Sequence, residues 1–237
     1  MIKKYKVMNI YKYYLIHNLD ENRRDRMLKC FEKSNINNND VSWLTYPNKE
    51  HITDDMIRSY VSQGLTYTNG IPINAQFQMS NGLISCTLKH YLALKDIIEN
   101  NHEYSVIMED NMITGDNVPK RLDLYINQLN QLYPDWDVLF DNECEGTDNN
   151  KYQEGEIKEG IYVYPKSNEI TNQCHGGTKL AQFYLIRLKA AKKLYENYLP
   201  FNNAPDWYMN DLFRKLNIKS FWAEPSNIFK WEHKSSY

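Results

Sequence analysis

The sequence predicts an α/β domain, a sheet with helices packed on its faces. Short β-branched and aromatic runs alternate with segments of helical period along most of the chain. No internal repeat interrupts that alternation, and no linker rich in Pro, Gly or Ser divides it. The 237 residues, 42% hydrophobic and 24% charged, suffice for one large domain, so residues 1–237 read as one unit.

The elements follow in order. YYLIHNL, from Tyr13, reads as the first strand, then a polar turn and a helix from about Arg23 to Lys33. An Asn-rich loop (35–40) leads to a second short strand, VSWLTYP. Thr53, with Asp54 and Asp55 behind it, starts a short helix to Tyr60. NGLIS supplies a turn before the clearest helix, CTLKHYLALKDIIEN, in which Leu88, Tyr91, Leu94 and Ile98 share a face. YSVIMEDNM opens as a buried strand over Ser105 to Met108 and closes on Glu109, Asp110 and Asn111. KRLDLYINQLNQLYP is an amphipathic helix stopped by Pro134, and WDVLFDN is another buried strand. The polar stretch 141–160 reads as a mobile loop. IYVYP and AQFYLIR are strands, and LKAAKKLYENYL is a helix burying Ala191, Leu194, Tyr195 and Tyr198.

Composition excludes several classes. A net charge of −2 argues against a general binder of nucleic acid or membrane surfaces. No apolar stretch approaches the roughly 20 residues of a membrane span, and the N-terminal lysines precede no apolar signal core. Cys30, Cys86, Cys144 and Cys174 are scattered, without the pairing of a zinc site or a disulfide framework. Reduced thiols and a cytoplasmic setting are expected.

In open α/β sheets, ligands sit at the carboxyl ends of strands. Two segments put polar residues there: His17 to Asp20, with Arg23, Arg24 and Arg26 beyond, and Glu109 to Asn111. Carboxylates so placed can hold Mg²⁺ or Mn²⁺, and the arginines can pair with a diphosphate whose charge grows as it leaves. The plain alternative is a turn that caps a strand.

Six stretches, in order, resemble glycosyltransferase family 25, the family of lipooligosaccharide and procollagen galactosyltransferases. They are LIHNLDENRRDRM, NGLISCTLKHYLALKDIIEN, YSVIMEDN, GGTKLAQFYLIRLKAAKKL, PDWYMNDL and FWAEPSNI, and they cover roughly residues 13–228. The departures are specific. The family's acidic triplet ends in Asp where this chain has Asn111, and an amide oxygen binds a divalent cation more weakly. Ser85 stands where the family often has Gly, and Lys89 where it often has Ser. One extra residue precedes Asp25 and Arg26, which leaves open which arginine corresponds to the family's.

The resemblance implies a GT-A-like fold with a mixed central sheet and helices on both faces, a UDP-sugar donor, and inversion at the anomeric carbon. It implies Asp206 as general base, Asn18, Arg26, His90, Glu109, Gly177 and Thr178 around the donor, and Asp110, Asn111 and His233 on Mn²⁺ or Mg²⁺. Trp207 offers a ring face to an acceptor sugar. The acceptor is a glycan or a glycosylated hydroxylysine of a collagen-like chain. Each residue has a bland alternative: a satisfied half-buried histidine for His90, a turn and solvated helix face for Asn18 and Arg26, a strand start for Gly177 and Thr178. For Asp206 it is a helix N-cap, and for His233 a disordered tail. A fold that keeps sugar or nucleotide binding without activity is the rival, with Asn111 its best argument. A nucleotidyltransferase ranks last, because no Gly-rich N-terminal loop with its lysine is present.

Overall fold

The computed structural model describes residues 11–68, 71–74, 79–142, 159–168, 170–171, 174–178 and 180–230. Most of the stretch read as a mobile loop, together with Cys144, Trp231 and His233, lies outside the described residues.

The strands are β1 (Lys12–Ile16), β2 (Val41–Leu44), β3 (Leu65–Thr68), β4 (Ile71–Asn74), β5 (Tyr104–Glu109), β6 (Met112–Thr114) and β7 (Val138–Phe140). They continue with β8 (Val163–Lys166), β9 (Ile170–Thr171), β10 (Cys174–His175), β11 (Phe183–Arg187), β12 (Ser220–Ala223) and β13 (Ile228–Lys230). The helices are α1 (Glu21–Ser34), α2 (Asp54–Tyr60), α3 (Asn81–Glu99), α4 (Val118–Leu132), α5 (Leu188–Asn197) and α6 (Pro205–Leu216).

Seven strands form one mixed sheet in the order β2-β1-β5-β11-β7-β12-β8. The β2, β1 and β5 strands run parallel, β11 lies antiparallel to both β5 and β7, and β12 is parallel to β7. Side chains alternate across such strands, and the alternation sorts them into two cores. Tyr14, Ile16, Ile107, Tyr184 and Ile186 face one core, closed by α3, α5 and α6. Tyr13, Leu15, Val106, Met108 and Leu185 face the other, closed by α1 and α4. The mixed sheet with helices on both faces therefore stands as the sequence predicts.

Local chemistry sets the helix ends. The Asp20 side chain accepts from the Arg23 N–H and starts α1, Thr53 does the same for α2, and Ser80 accepts from Leu83 to start α3. The Ser80 cap corrects the turn read at NGLIS: those residues form the first turns of α3. Its amino-terminal half is buried on every side, from Ile84 through His90. Periodicity finds one apolar stripe there and misses that the polar side of the helix is buried too. Sequence reading also misses the β3–β4 hairpin and the pairing of β6 with β13. The two-residue turn at Asp110 and Asn111 is where the chain leaves the large sheet for that small one.

Among the described residues, no helix is long and apolar enough to cross a membrane.

Candidate active site

The carboxyl ends of β1 and β5 lie side by side, with Ile16 opposite Glu109. The Asp110 N–H donates to the Ile16 carbonyl at 3.1 Å, so His17 and Asp110 leave the sheet together. Both oxygens of the Asp110 carboxylate are engaged. Oδ2 meets His17 Nδ1 at 2.8 Å and accepts from the Asn18 N–H at 3.2 Å, while Oδ1 accepts from Arg23 at 2.6 Å. Arg26 donates to the Asp110 backbone carbonyl. Burial alone pushes the Asp110 carboxyl up, but His17 and Arg23 together outweigh it and hold the group below its ordinary range.

These residues line a cavity of about 380 Å³. One wall is the turn 16–20. Its Leu19 has φ 67 and is 51% exposed, an uncommon conformation for a side chain other than glycine. The opposite wall is one face of α3: Gly82, Ser85, Cys86 and Lys89 recur at the helical period. Ser85 donates to the Pro47 carbonyl at 2.7 Å, and Lys89 Nζ donates to the His17 carbonyl at 2.8 Å. Of the expected donor residues, Asn18 lines this cavity; its arginine is Arg23, and Arg26 does not line it.

A second cavity, about 210 Å³, shares Cys86 with the first. Glu109, Asn111 and Asp206 are among the residues that line it. Asp206 is the second residue of α6, behind Ala204 as cap and Pro205, so it is no N-cap. Burial pushes its carboxyl up, with the negative charge of Glu109 adding to the rise, against N–H groups of the helix start that favour the anion. Asn111 Oδ1 is buried with no hydrogen-bond partner.

Glu109 is tied beneath by a buried network. Its Oε1 lies 3.2 Å from His90 Nε2 and 3.7 Å from Cys86 Sγ, and His90 Nδ1 meets the Tyr184 hydroxyl at 2.9 Å. His90 is thus fully buried and lines neither cavity itself, meeting the second through Glu109. Thr178 Oγ1 donates to the Asp206 carbonyl at 3.2 Å, and its N–H donates to Asn210 Oδ1 at 2.9 Å, which pins the start of α6. Gly177 lines neither cavity: a Cβ there would sit 2.3 Å from Asn168 Oδ1. Trp207, beside Asp206, is 44% exposed.

The oxygen set that Mg²⁺ or Mn²⁺ takes does not fit Asp110. Both of its oxygens already meet an arginine, a histidine and a backbone N–H, and the Arg23 guanidinium repels a second cation. Asn111 points to the other cavity, and His233 lies outside the described residues. Cys86, His90 and Glu109 place ligand atoms within 4.8 Å of one another, but that sulfur–nitrogen set suits softer ions.

Sequence reasoning missed Lys89 as a site residue. A lysine inside a helix reads as solvent-facing, and no local signal marks it as buried. Arg23 and His17 stood among the strand-end residues, without a sign of which would turn inward.

The family model of glycosyltransferase family 25 (LPS biosynthesis protein) matches residues 11–209. Human procollagen galactosyltransferase 2 is 22% identical over 164 residues, 64% of this chain. The match spans 24% of that protein's length. Among solved structures, S. aureus TarS 1–349 aligns with TM-score 0.48 and 10% identity over 93% of this chain and 60% of its own. A197 from STIV aligns with TM-score 0.46 and 8% identity over 92% of this chain and 82% of its own.

Proposed function

The chain belongs to glycosyltransferase family 25, and from that premise we propose that it moves a hexose, galactose or glucose, from a UDP-sugar to a hydroxyl acceptor. The observation that carries this reading is the pair of adjoining cavities: one holds Arg23, Lys89 and Asn18, the other Glu109 and Asp206, and Cys86 stands between them. A diphosphate suits the first and an acceptor hydroxyl the second.

In the reaction so read, Asp206 takes the proton of the acceptor hydroxyl. The hydroxyl oxygen bonds to the anomeric carbon as the bond from that carbon to UDP breaks, and the electron pair leaves with UDP. One displacement inverts the centre and needs no covalent nucleophile. The raised carboxyl of Asp206 favours this role, because a base whose pKa approaches the working pH takes a proton more effectively. Glu109, held by His90, sets the field around Asp206, and Thr178 fixes the helix that carries it. Asn18 contacts the donor and Trp207 packs on the acceptor sugar, a glycan or a collagen-like glycosylated hydroxylysine. Mn²⁺ or Mg²⁺ is the family expectation, but Asp110 is not available to it, and no step here is assigned to a metal. The reading takes the chain as a single catalytic domain acting in the cytoplasm.

Thermal shift with UDP and GDP tests the donor half, since a ligand that binds only the native state raises its stability. UDP is expected to raise Tm and GDP not. Equal shifts, or none with either nucleotide, overturn the reading. Hydrolysis of a UDP-hexose above background separates an enzyme from a fold that only binds.

A further inference from the structure

Lys89 is a buried ammonium whose one hydrogen bond among the described residues goes to a neutral partner, the His17 carbonyl at 2.8 Å. Among the described residues, no carboxylate lies within ion-pair distance of it. An ammonium has three N–H donors, so two remain to be used. Taking a charge out of water without an opposite charge is costly, and buried charges are found paired.

The charges around it decide what it awaits. Arg23 and Asp110 neutralise one another at 2.6 Å. Lys49 and Glu50 pair at 3.9 Å on the exposed side, and Asp20 is exposed and caps α1. Among the described residues lining the cavity, Lys89 is the buried cation with no carboxylate at ion-pair distance. It closes a helix face that begins at Gly82 in the first turn of α3, where backbone N–H groups and the helix dipole favour an anion. Burial lowers the Lys89 pKa and outweighs the attraction of the more distant Asp110 and Glu50 carboxylates.

We propose that Lys89, at the end of the α3 face that opens at Gly82, takes the diphosphate of the nucleotide donor as a fixed cation, so that UDP is bound and released without a divalent ion. The proposal rests on the donor reading above. It follows from two placements: the carboxylate expected to hold a metal is tied to Arg23 and His17, and a lysine occupies the space beside it. As the sugar–oxygen bond breaks, charge accumulates on the β-phosphate, and a cation already in place stabilises it without reorganising.

Titration calorimetry of the full chain in EDTA tests this, with UDP and uridine as separate probes. Lys89→Met removes the charge at similar volume. Lys89→Gln keeps a donor for the His17 carbonyl, which guards against a variant that fails to fold. The parent is expected to bind UDP in EDTA, and both variants to lose about 10- to 100-fold in UDP affinity, the worth of a charged hydrogen bond. Uridine, which carries no phosphate, should bind parent and variants alike. UDP binding that requires Mn²⁺ overturns the proposal, as does undiminished UDP affinity in the two variants or an equal loss for uridine. A parent that binds no UDP even with Mn²⁺ removes the donor reading, and this proposal with it.

Discussion

His17 and Asp110 leave the ends of two adjacent parallel strands and meet at 2.8 Å, Nδ1 to Oδ2. Their contact, with Arg23 on the other carboxylate oxygen, welds the first turn after β1 to the turn after β5. The residue expected to be a metal ligand is the anchor of the cavity wall.

Asp110→Asn should therefore destabilise the fold. Removing one partner of a buried ion pair leaves the other charge unpaired, which costs about 3 kcal/mol. The folded-state pKa of Asp110 lies below its ordinary 3.8, so its contribution is present above that pH and is lost as pH falls through the lower folded value. Urea unfolding at neutral pH should show the full deficit, shrinking in strong acid. An Asn variant as stable as the parent at neutral pH would leave Asp110 a turn residue only.

Asp206→Asn should lower transfer by a factor on the order of 10² or more, the worth of a positioned base. The base must be ionised to act, and the Asp206 pKa is raised above 3.8, so kcat/KM of the parent should climb with pH along an acid limb set above that value. The limb should vanish in the variant. Stability at neutral pH should hold or rise, because a carboxylate whose ionised form the fold disfavours is removed. An unchanged pH profile would place the base elsewhere.

Asn111→Asp adds a third carboxylate beside Glu109 and Asp206. Mutual repulsion should lower Tm in EDTA by about 2–4 °C, roughly 1 kcal/mol for a chain of this size. Mn²⁺ should restore the loss in the variant and shift the parent little. A parent that gains as much from Mn²⁺ would show that Asn111 already serves a cation.

Gly177→Ala should cost about 1–3 kcal/mol by overpacking. Its new Cβ would stand 2.3 Å from Asn168 Oδ1 and 3.0 Å from the Ser220 Cβ. Asn168 cannot easily retreat, since its amide donates to the carbonyls of Phe213 and Ile218. UDP affinity should be unchanged. A variant of full stability with weakened UDP binding would return Gly177 to the donor site.

Much of this protein is written in local sequence. Alternating apolar residues in β1, β5 and β11 assign each side chain to one of two cores, because a strand has a period of two. Thr53 starts its helix through its own side chain. The strand-end position of His17, Asn18, Glu109 and Asp110 follows from where the apolar runs stop. The tertiary structure alone decides what those residues do. A carboxylate after a strand looks the same in sequence whether it is open to a metal or closed by Arg23, because the partner comes from 87 positions away. Lys89 looks like any helix-surface lysine until α3 is covered by the loop carrying Pro47 and by the turn after β1. Burial, and with it the sign and availability of charge in the cavity, is a property of packing between distant segments, which local period and spacing do not encode.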